Sequence, residues 1–335
     1  MSSIGYPRLV ADLGGSNARF GWIGSAAGTV TQVRKLPVPA YPGLVEASNA
    51  YLADLQATLG DEYRPPRHAA IAVATAVTGD HIAFTNSHWA FSRRSVQAAL
   101  GFENLLLLND FESLALSLPL LGPAQLRADS NRPSRRPGLL AVVGPGTGLG
   151  VGAVAPTAHG WMVIPGEGGH ATLAPADELE DELIGIVRRK FSHVSAERLL
   201  SGTGMPTLHQ ALGQALRVPL AEPLTTAEIV ERGVARSDEL CSRTIDMFCA
   251  LLGGVAGSVA LTLGATGGVF IGGGIVPRFA DRFFASDFRA RFEAKGRCRP
   301  YLEAIPTSLI TDTLAALTGA ALALELIEIN PSIEG

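Results

Sequence analysis

Cysteine is scarce in this sequence: Cys241, Cys249 and Cys298 are the only three in 335 residues. The number is odd and no CxxC pair occurs, which excludes a disulfide framework or a zinc site and fits reduced structural thiols. Lysine is equally scarce, with only Lys35, Lys190 and Lys295, none of them preceded by glycine. A Walker A loop, which needs Gly-Lys-Ser/Thr, is therefore impossible. Charge is low at 17 %, against about 25 % in an average chain, and 27 basic against 31 acidic residues leave a net charge of −4. No global positive field is available to hold nucleic acid or an anionic membrane. The opening MSSIGYPRLVADLGG lacks a basic segment followed by an apolar one, so a secretory signal is not expected and the cytoplasm is. HExxH and GxSxG are absent, and no glycine cluster fits a dinucleotide-binding GxGxxG between strand and helix.

One stretch does lack charge altogether, the 31 residues from Met247 to Pro277. Its apolar helical part, Met247 to Leu263, is at the short edge of what crosses a bilayer of about 30 Å. Glycines interrupt it, and Gly264, Gly267 and Gly268 break it before the β-type run Val269-Phe270-Ile271. A buried helix followed by a buried strand is the expectation.

What the chain has in excess is glycine, 38 of 335 residues, or about 11 % against an average of about 7 %. There is no collagen period, so the excess belongs to particular turns. Length and the 47 % hydrophobic content provide for two domains with a core each. Periodicity predicts strands at Arg8–Leu13, Ala18–Ile23 and Thr29–Leu36, a helix at Leu44–Leu59, a strand at Ala69–Ala74, a serine-capped helix at Ser92–Leu100 and a strand at Leu105–Leu108. After a polar turn at Arg127–Pro137, three strands come first again, at Leu139–Val143, Leu149–Val154 and Trp161–Ile164. Helices are predicted at Asp177–Lys190, Ala227–Gly233 and Leu240–Leu263. Strands at Gly268–Ile271 and Pro306–Ile310 and a last helix near Leu314–Ile329 complete the pattern. The α/β plan reads as βββαβα used twice. Each copy carries a glycine-rich turn between its first two strands, 12-DLGGSN-17 and 144-GPGTGLG-150.

Such turns expose consecutive N–H groups to which phosphate can come close, because no Cβ stands in the way. Two of them, with a third cluster at Gly272, Gly273 and Gly274, form a candidate polyphosphate clamp. Asp12 ends the first strand just before its turn, where a carboxylate beside phosphate calls for a cation such as Mg²⁺, held directly or through water; Asp is also a common turn residue. Arg19 either offsets phosphate charge or lies on the solvent face of its strand. In 105-LLLLNDFESL-114 a buried strand ends in Asn109-Asp110, a pair suited to a polyol at the carboxyl end of a strand, or equally to capping a helix. In 165-PGEGGH-170 and 195-SAERLLSGTG-204, Glu167, His170 and Glu197 stand among glycines and an expected helix start. Carboxylate and imidazole groups there suit vicinal hydroxyls, and Glu197 alternatively serves as a first-turn helix carboxylate.

Taken in order, DLGGSNARF, TNSHWAFS, LLNDF, GPGTGLGVG, PGEGGH, SAERLLSG and GGVFIGGGIVPRF resemble the bacterial glucokinase family of the sugar kinase/Hsp70/actin superfamily. The resemblance implies two RNase H-like, actin-like ATPase domains flanking a cleft, a smaller one at 1–110 plus about 312–335 and a larger one at 111–311. It implies ATP-dependent phosphorylation of glucose at its 6-hydroxyl, with Asp110 as base and Asn109, Asp110, Glu167, His170 and Glu197 on the sugar. ATP would lie on Asp12, Gly14, Gly15, Ser16 and Asn17, on Gly146, Thr147 and Gly148, and with its adenosine on Gly272 to Gly274; Mg²⁺ would lie by Asp12. A homodimer is likewise implied. Ser16 replaces the family's usual threonine and keeps a hydroxyl, and 73-VATAV-77 lacks the cysteine-proline often found there. The related group with a cysteine-rich zinc motif is excluded by the missing cysteines. No helix-turn-helix is expected ahead of a phosphate turn that begins at residue 12. The rivals are a kinase for another hexose or amino sugar and a non-catalytic sugar-sensing actin-like module.

Overall fold

The computed structural model describes residues 5–26, 28–84, 87–128, 137–220 and 222–329. Thr85 and Asn86 of the TNSHWAFS motif and most of the expected turn at 127–137 lie outside them. Two compact units result: Met1–Leu121 with Pro156–Val163 and Thr313–Gly335, and Gly122–Ala155 with Ile164–Asp312.

The first unit runs β1 (Arg8–Leu13), β2 (Asn17–Ile23), β3 (Thr31–Pro37), α1 (Leu44–Leu59), β4 (His68–Val73), β5 (His81–Ala83), β6 (Ala90–Ser92), α2 (Arg93–Leu100), β7 (Asn104–Asn109) and α3 (Asp110–Ser117). Its main sheet has the order β3-β2-β1-β4-β7, with β1 antiparallel to β2 and parallel to β4, and β4 parallel to β7. Side-chain alternation on β1 divides the core. Leu9, Ala11 and Leu13 join the cluster that holds Leu44, Tyr51 and Leu55 of α1. Val10 faces the opposite layer, as the two-residue period of a strand requires. The predicted serine cap is present: Ser92 Oγ accepts from the N–H of Ser95 at 3.2 Å, and Gly101 ends α2 at φ +69.

The second unit continues with β8 (Leu126–Ala128), β9 (Leu140–Pro145), β10 (Leu149–Thr157), β11 (Gly160–Ile164), α4 (Glu178–Arg188), α5 (Met205–Ala215), α6 (Thr226–Val234), α7 (Glu239–Leu263), β12 (Gly268–Ile271), α8 (Ala280–Ala285), α9 (Phe288–Glu293), α10 (Arg299–Glu303) and β13 (Thr307–Ile310). Its sheet order is β11-β10-β9-β12-β13-β8. Here β9 is antiparallel to β10 and parallel to β12, so the plan of the first sheet recurs, with β8 added at one edge. Both units are RNase H-like.

Helix α7 is the one described helix long and apolar enough to cross a membrane, and 56 % of its most apolar window is buried inside the protein. Leu240, Ile245, Phe248, Leu252 and Ala256 on it belong to the core of the unit. Its glycines serve helix crossing. A Cβ at Gly253 or Gly257 would run into the carbonyl of Phe288 or Phe292 on α9, so small residues set the close approach of the two backbones. The last helix, α11 (Ala315–Ile329), returns to the first unit. Leu317, Ala320 and Leu324 on it cover Val10, Ile23 and Ala70.

Candidate active site

In the first unit the parallel strands end flush. Leu13 is in register with Val73, and Val73 with Asn109, so the glycine turn after β1 and the Asn109-Asp110 pair after β7 emerge at the same sheet edge. Two strand spacings, roughly 10 Å, separate them. Asp12 is half-buried, and Arg19 Nη1 lies 3.2 Å from its Oδ2. Burial pushes the Asp12 carboxyl above its usual range, against the pull of Arg19. Arg19 is thus an ion-pair partner of Asp12. In the turn itself the carbonyl of Ser16 accepts from Val38 at 3.0 Å and the N–H of Gly14 goes to Asn17 at 2.9 Å. The N–H groups of Gly15 and Ser16 make no bond among the described residues. They are available to an anion, which is what a phosphate cradle requires.

Asn109 caps α3. Its Oδ1 accepts from the N–H of Phe111 at 2.9 Å, Glu112 Oε2 accepts in return from the N–H of Asn109 at 3.2 Å, and Asn109 Nδ2 donates to the carbonyl of Thr75 at 3.2 Å. The helix-cap reading of the motif is therefore correct for Asn109. The second Nδ2 hydrogen remains for a ligand, so the cap does not exhaust the amide. Asp110 follows as the first residue of α3, its Oδ1 3.0 Å from the N–H of Phe111. Thr75 went unread in the sequence; it lies in 73-VATAV-77, and only its backbone signals the role.

In the second unit the turn between β9 and β10 is built the same way. The carbonyl of Gly146 accepts from Gly202 at 2.7 Å and that of Thr147 from Thr203 at 3.4 Å, while the N–H of Gly146 closes on Gly148 at 2.8 Å. The N–H groups of Thr147 and Gly148 have no partner among the described residues. Gly273, at φ +76, packs on Pro145, where a Cβ would strike the carbonyl, and the N–H of Ile275 reaches Pro145 at 3.3 Å. The clusters 144–148 and 272–274 therefore touch. The 165–170 loop joins them. Glu167 precedes a single 3₁₀ turn, Gly168–His170, and is exposed, as is His170. The N–H of Glu197 donates to Gly169 at 2.9 Å, its Oε2 accepts from the N–H of Leu149 at 2.9 Å, and its Oε1 stands 3.8 Å from His170 Nε2. The expected helix start at Glu197 is not there: 197–199 are turns and α5 begins at Met205. Gly202 and Gly204 interrupt the segment, and a helix-dipole role for Glu197 is excluded.

A profile of the family described as glucokinase matches residues 9–327. The chain belongs to the glucokinase family. A protein from Chromobacterium violaceum named glucokinase is 47 % identical over 94 % of this chain and 88 % of its own. A bifunctional protein glk from Burkholderia lata is 46 % identical over 94 % of this chain. This chain spans about half the length, 48 %, of that relative. Among solved structures, a glucokinase from an Antarctic psychrotroph superposes with a TM-score of 0.84 at 34 % identity, over 95 % of this chain and 98 % of its own.

Within this glucokinase-family fold Cys241 and Cys249 are buried on α7. Burial pushes Cys241 up to about 11 and Cys249 up to about 12, which removes the thiolate a nucleophile needs. A cavity of about 380 Å³ lies behind the 165–170 loop, lined by Gly166, Gly168, Ala171, Val255 and Lys295 among others and by none of Glu167, His170 and Glu197. Its walls are mainly apolar.

Proposed function

We propose that this chain transfers the γ-phosphoryl group of ATP to the 6-hydroxyl of D-glucose. The observation that carries the reading is the pair of glycine turns, one per unit, whose carbonyls are tied back while N–H groups at Gly15, Ser16, Thr147 and Gly148 stay open. In phosphoryl transfer the protein contributes mainly position and charge stabilisation. Phosphate rests on Gly14, Gly15, Ser16 and Asn17 and on Gly146, Thr147 and Gly148, and adenosine on Gly272, Gly273 and Gly274. Asp12, half-buried beside its turn, fits a Mg²⁺ ion held directly or through water; when bound, the ion neutralises phosphate charge. Asn109, Glu167, His170 and Glu197 hold the sugar hydroxyls. Asp110 accepts the proton of the 6-hydroxyl as its oxygen bonds to phosphorus and the bond to ADP breaks.

The first unit acts as the smaller domain and the second as the larger. The working species is a cytoplasmic homodimer, which light scattering of the purified chain tests. A coupled assay with ATP and Mg²⁺, comparing glucose with mannose, fructose and N-acetylglucosamine, tests the activity. Turnover at about 1 to 100 s⁻¹ with glucose as the best substrate is expected. A preference for another sugar would reassign the substrate, and no turnover with any would replace the kinase by a sugar-sensing module.

A further inference from the structure

Gly148 lies in the turn assigned to phosphate, yet its missing side chain matters in another direction. Its φ is outside the left-handed region, so the backbone there does not call for glycine. Space does. A Cβ at 148 would intrude on Glu197 Oε2 and come within 3.3 Å of Glu197 Cδ. By contrast, a Cβ at Gly146 would meet only the carbonyl of Gly148, at 3.9 Å. The carboxylate of Glu197 occupies the place of the absent methyl and from there accepts the N–H of Leu149 at 2.9 Å. The main chain of Glu197 is held by its own N–H on Gly169, so a methyl at 148 is relieved by rotation of the Glu197 side chain, which takes Oε2 off the N–H of Leu149. The segment that follows it fixes the same turn through Gly202 on Gly146 and Thr203 on Thr147.

We infer that Gly148 is a positioning residue for the sugar: its bare Cα lets Glu197 seat on Leu149, so that the phosphate turn holds the sugar carboxylate in place. The inference rests on the proposed function and deepens it. Two consequences follow from one carboxylate serving two segments. A methyl at 148 displaces the sugar ligand without any nucleotide being present. Glucose, by fixing Glu197, also fixes the turn on which phosphate rests, and by linkage the nucleotide strengthens glucose binding to the same degree.

The test is calorimetric titration of glucose in the absence of nucleotide, on the wild type and on Gly148→Ala. Losing a charge-assisted hydrogen bond predicts that Gly148→Ala binds glucose about 10- to 100-fold more weakly. A second titration with a non-hydrolysable ATP analogue, with and without saturating glucose, predicts mutual tightening in the wild type that disappears in the variant. A merely structural lesion would weaken both ligands alike and leave the tightening in place, and that result overturns the inference. Equal glucose affinity in the two proteins overturns it as well, while the proposed function stands. A wild type that does not bind glucose overturns both. Should Gly148→Ala fail to fold, Glu197→Ala reads the same link from the other end: hydrogen exchange at the Leu149 amide accelerates at least about tenfold with Val151 unchanged. Unchanged exchange at Leu149 overturns the inference.

Discussion

Arg19 and Asp12 face each other across the β1–β2 register, with Nη1 3.2 Å from Oδ2. Burial raises the Asp12 carboxyl and Arg19 draws it back down, so the arginine favours the ionised form of a group whose proposed task needs a negative charge. Arg19→Met removes that pull. The acid limb of kcat/KM for Mg·ATP moves to higher pH in the variant, and glucose affinity stays the same. A pH–rate profile with an unmoved acid limb would leave Arg19 a strand residue only.

The same raised carboxyl has a stability consequence of defined sign. A group that holds its proton more tightly folded than unfolded contributes stability below its unfolded pKa. That contribution is lost as the pH rises through the folded value. Above the ordinary Asp range the buried Asp12 carboxyl therefore costs stability. Asp12→Asn keeps an oxygen for Arg19 and removes the charge, so its Tm at pH 7 exceeds that of the wild type, and the gap closes as the pH falls into the ordinary Asp range. Its kcat/KM drops by roughly 10²-fold or more, the scale for losing an electrostatic contact to the transferring group. Calorimetry across pH 4 to 8, with one assay at pH 7, reads both effects.

Asp110 is the first residue of α3, but the cap is Asn109. Asp110→Asn leaves that cap in place and keeps an Oδ1 for the N–H of Phe111, so the variant is folded. With both substrates saturating, kcat falls by roughly 10² to 10⁴. A near-normal kcat would remove Asp110 from the role of base.

Asn109 carries two separable bonds. Asn109→Asp retains the cap oxygen and loses the donor to Thr75, whereas Asn109→Ala loses both. The alanine variant is destabilised by about 1 kcal/mol, the usual worth of an N-cap; the aspartate variant keeps the cap and is destabilised instead by a carboxylate oxygen set against the Thr75 carbonyl. Both raise KM for glucose, because a donor at the flush strand ends is gone from each. Denaturant unfolding with steady-state kinetics separates cap from ligand.

Much of this architecture is legible in the chain because local and global preferences agree. Leu44–Leu59 and Gly268–Ile271 are predicted and observed with the same ends, one bounded by glycines and the other a short apolar run after a glycine break. The duplicated turns at 14–16 and 146–148 announce the two RNase H-like sheets. Helix α5 is missed although Leu208, Ala211 and Leu212 lie buried on one face, because the glycines of SGTG directly before it read as loop. The short helices α8, α9 and α10 are missed for want of length to show a period. At the site, residue types were readable, but partners were not. Nothing in the sequence pairs Asn109 with the backbone of Thr75, or Glu197 with Leu149, 48 positions away. Tertiary hydrogen bonds to backbone leave no side-chain pattern to read.

Two helical glycines that look alike in the sequence predict opposite outcomes for one substitution. Gly319 on α11 lies against α3: a Cβ there would strike the carbonyl of Ser113 and come within 3.1 Å of Ser117 N, and Ser113 Oγ donates to the carbonyl of Ala316 at 2.7 Å. Gly185 in α4 has nothing within 4 Å of its Cβ position. Gly319→Ala overpacks a backbone contact that cannot give, costing about 1–3 kcal/mol. Because α3 begins with Asp110, the displacement also reaches the proposed base, and kcat falls more than KM rises. Gly185→Ala, in open space and a helical conformation, gains about 0.5–1 kcal/mol from helix propensity. Thermal unfolding of the two single variants settles the sign at each position. A Gly319→Ala protein as stable as the wild type would mean that α11 does not fix the position of α3.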